Sequence, residues 1–407
     1  MRIGFLFNHD QIHQVAHALP TALAMIAEHP DAEVVIAATN DRLRQEIIRL
    51  AARGGREVTV RLLRLRRGST RLLARLFDKA LPITRLGIYR DNLDFFRGLD
   101  ALVVAEKTSL LLKSRYGLND LKLIHTRHGA GDRAIGFDKQ SARFDHVLVS
   151  GRKVRDRLVR DAGLEADQLS TIGYPKFDLM PSPPPRLPMQ RNGRPTVLYN
   201  PHVSPHLSSW FKHGLAVLEW FAAHPEYNLI FAPHVMLFHR PFVLTIDKLR
   251  IDRVGAIPAR IANAPNIHID LGSSACTDMT YTAAADIYLG DVSSQVYEFL
   301  HRPRPCLFLD SHAVDYRGDA NYRHWQAGEV IGDPAELGDA LGRAFTKHDY
   351  YARIQRQLFD ESFALTAEPS GKRAARAIMG VLSPVAPVEL FPQPRIAAAA
   401  DGDRAVA

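Results

Sequence analysis

The chain has 407 residues, of which 46% are hydrophobic and 24% charged, and its formal net charge is +8. This composition is typical of a globular protein with two or three domains, each large enough to bury its own core. No apolar run approaches the roughly 20 residues of a membrane helix, and the first residues lack a secretory cleavage pattern, so we expect a cytoplasmic protein.

Two classes of cofactor chemistry find no support in the motifs. The cysteines, Cys276 and Cys306, have no metal-ligand spacing around them, and we expect both to be small buried apolar residues. No HExxH motif or Cys/His cluster occurs, so the sequence predicts no metal site. A Gly-rich dinucleotide fingerprint and a P-loop are also missing, which disfavours nucleotide redox chemistry and P-loop hydrolysis. We expect no cofactor, and the role of a divalent ion stays open.

Positive charge is concentrated in residues 53–90, which contain eleven Arg or Lys against two acids. Within this basic segment, the stretch STRLLARLF places its leucines and phenylalanine on one helical side and Arg71 and Arg75 on another. Such a helix can lie on an anionic membrane surface at the inner face of the cytoplasmic membrane. A solvated surface helix would show the same pattern. No motif supports binding of nucleic acid.

The first half of the chain alternates apolar strands with helical segments. Strands are predicted at residues 1–8, 32–40, 99–106, 121–129 and 145–151, with a helix at 19–29 between the first two. This β-α-β start favours a parallel sheet with helices on its faces. The sequence therefore predicts one Rossmann-like domain over residues 1–180.

A proline-rich segment separates this domain from a second one. Residues 181–195 suit a linker because their proline content resists regular structure. The pattern then starts again, with strands predicted at 195–201, 228–234, 266–270, 285–290 and 306–310. Helices follow to about Leu382. We predict a second Rossmann-like domain over 196–383 and a disordered tail over 384–407.

Ligands of open parallel sheets bind outside the carboxyl ends of the strands, so the polar residues at the predicted strand ends are the candidates for a site. They are Asn8, His9 and Asp10, Glu106 and Lys107, His128 and Gly129, Asn200 and His202, His234, and Asp291 to Ser294.

Two histidines stand out among them. His128 is followed by Gly129, which permits a tight turn and a close ligand, and a histidine there could act as a general base near neutral pH. His234 follows Pro233, which keeps the residue before it extended, so this histidine should project from a strand end. For each histidine alone, a turn or packing role is the simpler interpretation.

The stretch GDVSSQVYEFL, residues 290–300, places Asp291, Ser293 and Ser294 between a strand and a helix. Free backbone N–H groups at a helix start, together with hydroxyls, suit a diphosphate. Glu298, one turn further on, could reach a sugar hydroxyl. A simple helix cap needs only one of these polar residues, so their number favours a diphosphate site.

Taken in order, the motifs resemble the CDP-glycerol glycerophosphotransferase family, which makes teichoic-acid-type polymers. The resemblance rests on HG at 128–129, GYPKFD at 173–178, LYNPHVS at 198–204, APH at 232–234 and GDVSSQVYEF at 290–299. By motif it covers residues 120–310, and more loosely the whole two-domain layout.

This resemblance implies a GT-B arrangement, in which two Rossmann-like domains face each other across a cleft. The nucleotide donor would bind the C-terminal domain, and a lipid-linked or surface-glycan acceptor the N-terminal one. His128 would then be the base and His234 a second essential histidine. Ser293 and Ser294 would contact the donor phosphates, with Gly129, Asp291 and Glu298 beside them. Asn8, His9, Asn200 and His202 would lie on the substrate or acceptor side.

Several positions depart from the family pattern. The aromatic residue before HG and the TPLK-like sequence after it are missing, NPHVSPHLSSW replaces a PTWR-like element, and APH replaces HPH. The transferred group therefore stays open between glycerol phosphate and a related polyol phosphate. The alternatives are a GT-B glycosyltransferase or nucleotide-sugar 2-epimerase that uses a UDP-sugar, with Asp10 and Glu106 as its candidate carboxylates, and a binding protein without catalysis.

Overall fold

The structure is a computed structural model that describes residues 1–8, 12–77, 83–127, 129–132, 137–245 and 250–383. The predictions for His9, Asp10, His128 and the tail 384–407 lie outside these residues. The predicted fold class is confirmed, since two parallel sheets flanked by helices form two Rossmann-like domains.

The N-terminal sheet comprises, within the described residues, seven parallel strands in the order β3-β2-β1-β4-β5-β6-β7. These are β1 Arg2–Phe7, β2 Glu33–Ala38, β3 Val60–Leu62, β4 Ala101–Val104, β5 Lys122–Thr126, β6 His146–Val149 and β7 Leu169–Thr171. Its helices are α1 Val15–Glu28, α2 Asp41–Arg53, α3 Gly68–Phe77, α4 Ile83–Asp91, α5 Leu93–Arg97, α6 Leu111–Ser114 and α7 Arg152–Arg157. The strand order reverses between β1 and β4, which is where a sheet of this kind opens a crevice for a ligand.

Local sequence explains why helix α2 forms. Asn40 is its N-cap, and the Asn40 side chain accepts a hydrogen bond from the backbone N–H of Leu43 at 2.9 Å. Leu43, Ile47 and Leu50 follow at helical spacing and are buried against the sheet. The opposite, polar face of α2 is consequently free to line the space between the domains.

The C-terminal sheet comprises, among the described residues, six parallel strands in the order β12-β9-β8-β13-β14-β15, and β10 and β11 form a separate antiparallel hairpin. The strands are β8 Thr196–Asn200, β9 Asn228–Phe231, β10 Phe242–Thr245, β11 Arg250–Arg253, β12 Ile267–Ile269, β13 Ile287–Gly290, β14 Cys306–Leu309 and β15 Glu329–Ile331. The α-helices are α8 Leu215–Ala223, α9 Ala259–Ala262, α10 Thr280–Ala284, α11 Gln295–Phe299, α12 Leu337–Thr346, α13 His348–Ser362 and α14 Ser370–Leu382. Here the order reverses between β8 and β13, so the loops after these two strands flank the crevice.

The proline-rich segment 181–195 contains a short 3-10 helix, Pro188–Asn192. The side-chain amide of Gln190 donates to the carbonyl of Ala284 at 2.9 Å and to the hydroxyl of Thr196 at 3.2 Å. These bonds hold the segment against the C-terminal domain, so it connects the domains without being a free spacer.

Helix α14 lies within the residues predicted for the second domain, 196–383, but it packs on the first domain. Its residues Ala374, Ala375 and Ile378 are fully buried in the core that α1 forms with the N-terminal sheet. The carboxylate of Asp178 also accepts hydrogen bonds from the backbone N–H groups at the start of α14. The last described helix therefore crosses back onto the first domain, because its small apolar stripe fits the surface of α1.

The expectation for the cysteines is confirmed, since Cys276 and Cys306 are both buried. No helix in the described part of the chain is long and apolar enough to cross a membrane.

Candidate functional site

Asp291 organises the carboxyl edge of the C-terminal sheet. Its side chain is buried at the end of β13 and accepts hydrogen bonds from the backbone N–H of His202 at 3.0 Å and of Ser209 at 2.7 Å. The hydroxyl of Ser209 donates to it as well, at 2.9 Å, and so does the N–H of Val292, at 2.6 Å. Because these donors occupy both carboxylate oxygens, we assign Asp291 to holding the loops and not to direct contact with a donor substrate.

Asn200, predicted on the substrate side, has a similar supporting role. It is buried at the end of β8, and its amide donates to the carbonyl of Ala232 at 2.6 Å. Its side-chain oxygen lies 3.4 Å from the hydroxyl of Tyr288. Asn200 thus joins its own strand, β8, to the two neighbouring strands, β9 and β13.

His202 and His234 lie together beyond this edge, with ring centroids 5.7 Å apart. The Nδ1 atom of His202 accepts from the N–H of Ser204 at 3.0 Å, and that of His234 accepts from Met236 at 3.2 Å. Burial lowers the pKa of His234 to about 4. His234 is therefore neutral at neutral pH and carries its ring hydrogen on Nε2, as a donor.

The serine pair, Ser293 and Ser294, follows Asp291 directly. Ser293 is buried and Ser294 is exposed. The backbone N–H groups of both residues meet no acceptor within the described part of the chain. Two backbone donors and an exposed hydroxyl at the end of a strand are the groups that bind phosphate oxygens.

The glycine loop, residues 129–132, crosses from the N-terminal domain to this serine pair. A Cβ atom on Gly131 would lie only 3.0 Å from Cβ of Ser294, and one on Gly129 would lie 3.9 Å from its hydroxyl oxygen. Gly129 also has a φ of +75°, which favours glycine. The predicted Gly129 therefore lies beside the predicted Ser294, although 165 positions separate them in the sequence.

Glu298 faces the GYPKFD segment, residues 173–178. Its buried carboxylate accepts from Nζ of Lys176 at 2.6 Å and from the hydroxyl of Tyr174 at 3.0 Å. These contacts join α11 to the chain segment that leaves the first domain. We infer that Glu298 holds the domain junction in this structure, in place of the sugar contact that its spacing suggested.

An open cleft of about 670 Å³ separates the two domains beside these loops. One wall comes from the N-terminal domain and includes Arg42 and Glu46 of α2. The other comes from the segment after His234 and from residues 271–277, which follow β12. The side chain of Gln295 donates to the carbonyl of Cys276 at 3.0 Å, so the segment after the serine pair is joined to this second wall. The cleft has the size of a site for a nucleotide-linked ligand.

The carboxyl edge of the N-terminal sheet offers Asn8 and Glu106. Glu106 accepts hydrogen bonds from the hydroxyl of Tyr89, from the N–H and hydroxyl of Thr108 and from the N–H of Ser109. Burial raises the pKa of Glu106, but these four donors engage its carboxylate. Asn8 is buried next to the end of β1, and its Nδ2 atom lacks an acceptor among the described residues.

Four residues of the site escaped the sequence analysis: Asp132, Lys153, Tyr297 and His324. They form a buried polar cluster between the domains, behind the glycine loop and the serine pair. Asp132 could have been noticed because it ends the HGAGD stretch. Of the other three, Tyr297 lies within the GDVSSQVYEFL stretch, and Lys153 and His324 lie outside every motif named above.

Among the described residues, no group of three or more His, Cys, Asp or Glu is arranged to hold a metal ion. No protein-family model matches the sequence. No curated protein matches it either.

Solved structures do resemble the fold. A UDP-N-acetylglucosamine 2-epimerase aligns over 94% of this chain and 95% of its own, with a TM-score of 0.60 at 10% sequence identity. The wall teichoic acid polymerase TagF aligns over 94% of this chain and 88% of its own, with a TM-score of 0.56 at 14% identity. S. aureus MnaA, in a co-structure with UDP, covers 93% and 95%, with a TM-score of 0.56 at 11% identity. Likeness at these identities shows the fold alone, a GT-B arrangement of two Rossmann-like domains.

Proposed function

We propose that the protein transfers glycerol phosphate, or a related polyol phosphate, from a CDP-linked donor to a hydroxyl of a lipid-linked or cell-surface glycan acceptor. The contact between Gly131 and Ser294 carries this proposal. The loop that begins directly after His128 meets the serine pair, so a base on the first domain and phosphate donors on the second would act on one reacting group. The solved structures with this fold include TagF, a wall teichoic acid polymerase.

The transfer is a displacement at phosphorus. The acceptor hydroxyl attacks the β-phosphorus of the donor, the new O–P bond forms, and the bond from that phosphorus to the CMP oxygen breaks. His128 takes the proton of the hydroxyl, and CMP leaves with the negative charge. The backbone N–H groups of Ser293 and Ser294 and the hydroxyl of Ser294 hold the diphosphate while this charge develops. Each such donor is commonly worth about 3 kcal/mol in the transition state.

His234 suits a supporting role in this reaction. It is neutral with its hydrogen on Nε2, and can therefore donate a hydrogen bond to a phosphoryl oxygen without competing for the acceptor proton. His202, 5.7 Å away, is placed to contact the same group from the neighbouring loop. In this proposal the donor nucleotide lies along residues 271–277, which line the cleft.

The basic segment 53–90 supports an anionic membrane surface as the place of the acceptor. Arg56, Arg61, Arg66 and Arg71 are exposed, and Leu72 of α3 is 59% exposed beside them. Exposed arginines around an exposed leucine suit a surface of anionic lipid. Sedimentation with phosphatidylglycerol vesicles tests this part, with phosphatidylcholine vesicles as the control, and equal binding to both would contradict it.

Release of CMP from CDP-glycerol tests the reaction itself. The purified protein is incubated with CDP-glycerol and a membrane or glycan acceptor, and we expect CMP in amounts that depend on both. The variant His128→Ala should abolish release while melting at the wild-type temperature. A donor that stays intact with every acceptor would refute the proposal.

A UDP-sugar epimerase or glycosyltransferase is the second candidate, because solved structures with this fold include a UDP-N-acetylglucosamine 2-epimerase and UDP-bound MnaA. An epimerase would need a carboxylate free to move a proton at the sugar ring. The described candidate, Glu106, is engaged by four donors, which favours the first proposal. Thermal shifts with CDP and UDP separate the two, since stabilisation by UDP and not by CDP would support the second.

A further inference from the structure

The cluster behind the serine pair is centred on Asp132, the last residue of the glycine loop. Its side chain is only 1% exposed. Oδ1 accepts from Nζ of Lys153 at 2.9 Å and from the hydroxyl of Tyr297 at 2.7 Å. Oδ2 accepts from the backbone N–H of His324 at 3.0 Å and lies 2.9 Å from Nδ1 of the same residue. Lys153 belongs to the first domain, whereas Tyr297 and His324 belong to the second.

Such a carboxylate is costly to bury unless every lone pair is engaged. Burial alone would raise the pKa of Asp132, but the hydrogen bond from His324 and the charge of Lys153 outweigh burial and hold this pKa well below its usual range. The Lys153 ammonium also lies 3.5 Å from the ring centroid of Tyr297 and donates to the carbonyl of Ala130 at 2.6 Å. Asp132 is therefore an ionised group that joins the glycine loop to two elements of the other domain.

His324 carries this connection to the serine pair. Its Nε2 atom lies 3.0 Å from the carbonyl oxygen of Asp291, and this nitrogen must be the donor because a carbonyl only accepts. The indole of Trp325 donates to the same oxygen at 2.7 Å. Asp291 is thus held at two points. His324 and Trp325 bind its carbonyl oxygen, and the loops after β8 bind its carboxylate. These contacts fix the backbone that leads into Ser293.

We propose that Asp132 and His324 are positioning residues that hold the glycine loop and the serine pair at a fixed distance from each other. The proposal rests on the proposed function for its catalytic consequence. When the Asp132–His324 contact is lost, the nucleotide still binds the second domain. The glycine loop, which follows the proposed base His128, is then no longer aligned with the serine pair. A misplacement of about 1 Å commonly lowers the rate of an enzymatic reaction about 100-fold.

Kinetics of four variants test the catalytic consequence. Asp132→Asn and His324→Ala should lower kcat for CMP release by about 100-fold and change KM for CDP-glycerol by less than about threefold. His324→Gln, whose amide can still donate toward the Asp291 carbonyl, should recover part of that loss. The control Lys372→Gln removes an ion pair at the far end of α1, between Lys372 of α14 and Glu28, and should leave both constants unchanged. A kcat at the wild-type value in Asp132→Asn, or an equal loss in Lys372→Gln, would overturn the proposal.

Hydrogen exchange tests the coupling without any activity. The amides of His202 and Ser209 donate to the Asp291 carboxylate, so they report on how firmly that residue is held. In Asp132→Asn, peptides covering 202–209 and 290–297 should exchange about tenfold faster, while strand β9 in that variant and both peptides in Lys372→Gln stay at wild-type rates. Unchanged exchange in both peptides would overturn the coupling. If wild-type protein released no CMP, the proposed function would fail, and exchange would still decide the coupling.

Discussion

Two stretches of this chain carry the most specific sequence motifs, the GYPKFD segment at 173–178 and GDVSS at 290–294, and they use their polar side chains differently. In the first, Tyr174 and Lys176 bind Glu298, and Asp178 accepts from the start of α14. Every charged group there has a protein partner. In the second, Asp291 is engaged by the loops, while Ser294 and two backbone N–H groups remain available.

This comparison distinguishes residues that support the fold around the candidate site from residues that are available to contact a ligand. The buried acids of both stretches hold loops, helices and the domain junction, and the uncharged donors beside them are left to meet an anion. This arrangement is sensible for an anionic ligand, because a free carboxylate next to a diphosphate would repel it. A motif can therefore mark a site through residues that never touch the ligand.

Removing the central framework acid should have the largest effect. Asp291→Ala leaves the N–H groups of His202 and Ser209 buried without an acceptor, and we expect the free energy of unfolding to fall by about 4 kcal/mol. Urea denaturation monitored by circular dichroism measures it. A loss below about 1 kcal/mol would show that Asp291 is not the framework residue described here.

Breaking the ion pair between the GYPKFD segment and Glu298 should lower the free energy of unfolding slightly less than Asp291→Ala does. Lys176→Met leaves the carboxylate of Glu298 buried without its cation, and we expect a loss of about 3 kcal/mol in unfolding free energy. Adding Glu298→Gln removes that charge and should restore most of the loss. A double variant no more stable than Lys176→Met would contradict a direct ion pair between these residues.

The serine pair should give the opposite result, with activity lost and stability kept. Ser294→Ala should lower CMP release by about 100-fold, since it removes one donor to the developing charge. Because Ser294 is exposed, the melting temperature of the Ser294→Ala variant should stay at the wild-type value. Thr346→Ala, an exposed hydroxyl in α12, is the matched control. Equal activity of Ser294→Ala and wild type would remove the serine from the site.

His234 should show the smallest effect, and only in acid. Its pKa is about 4 in the folded protein, against about 6.5 in an unfolded chain. As the pH falls from about 6.5 to about 4, the unfolded state binds a proton that the folded state does not, so this residue lowers stability across that window. His234→Gln should therefore lose less melting temperature than wild type between pH 7 and 4.5. His224→Gln, which removes a partly exposed histidine paired with Glu226, serves for comparison. An acid loss in His234→Gln identical to that of wild type would contradict the lowered pKa of His234.

Periodicity alone was enough to predict much of the fold. The strands β1, β2, β4, β5 and β6 and the second-domain strands from β8 to β14 that were predicted are present, because buried parallel strands are short continuous apolar runs. The return of α14 to the first domain could not be predicted, since Ala374, Ala375 and Ile378 would fit any flat apolar surface.

The candidate site was predictable only in part, for a similar reason. Strand ends located the serine pair and the histidines, because sheet topology brings carboxyl ends together. The contact between Asp132 and His324 spans 192 residues and depends on how the two domains meet. Spacing within one motif contains no information about such a distance, so the roles of Asp291 and Glu298 as supports also became visible only in the structure.

The crossing of α14 has a mechanical consequence. The chain passes between the domains twice, once through residues 173–195 and once just before Ser370, and the two passages touch where Ser370 accepts a hydrogen bond from the N–H of Tyr174 at 2.9 Å. Two adjacent interdomain connections act as a hinge, because they permit rotation of the domains mainly about the line that joins them. Any opening of the cleft would then be a rotation about this line, with the domains still joined at the two passages.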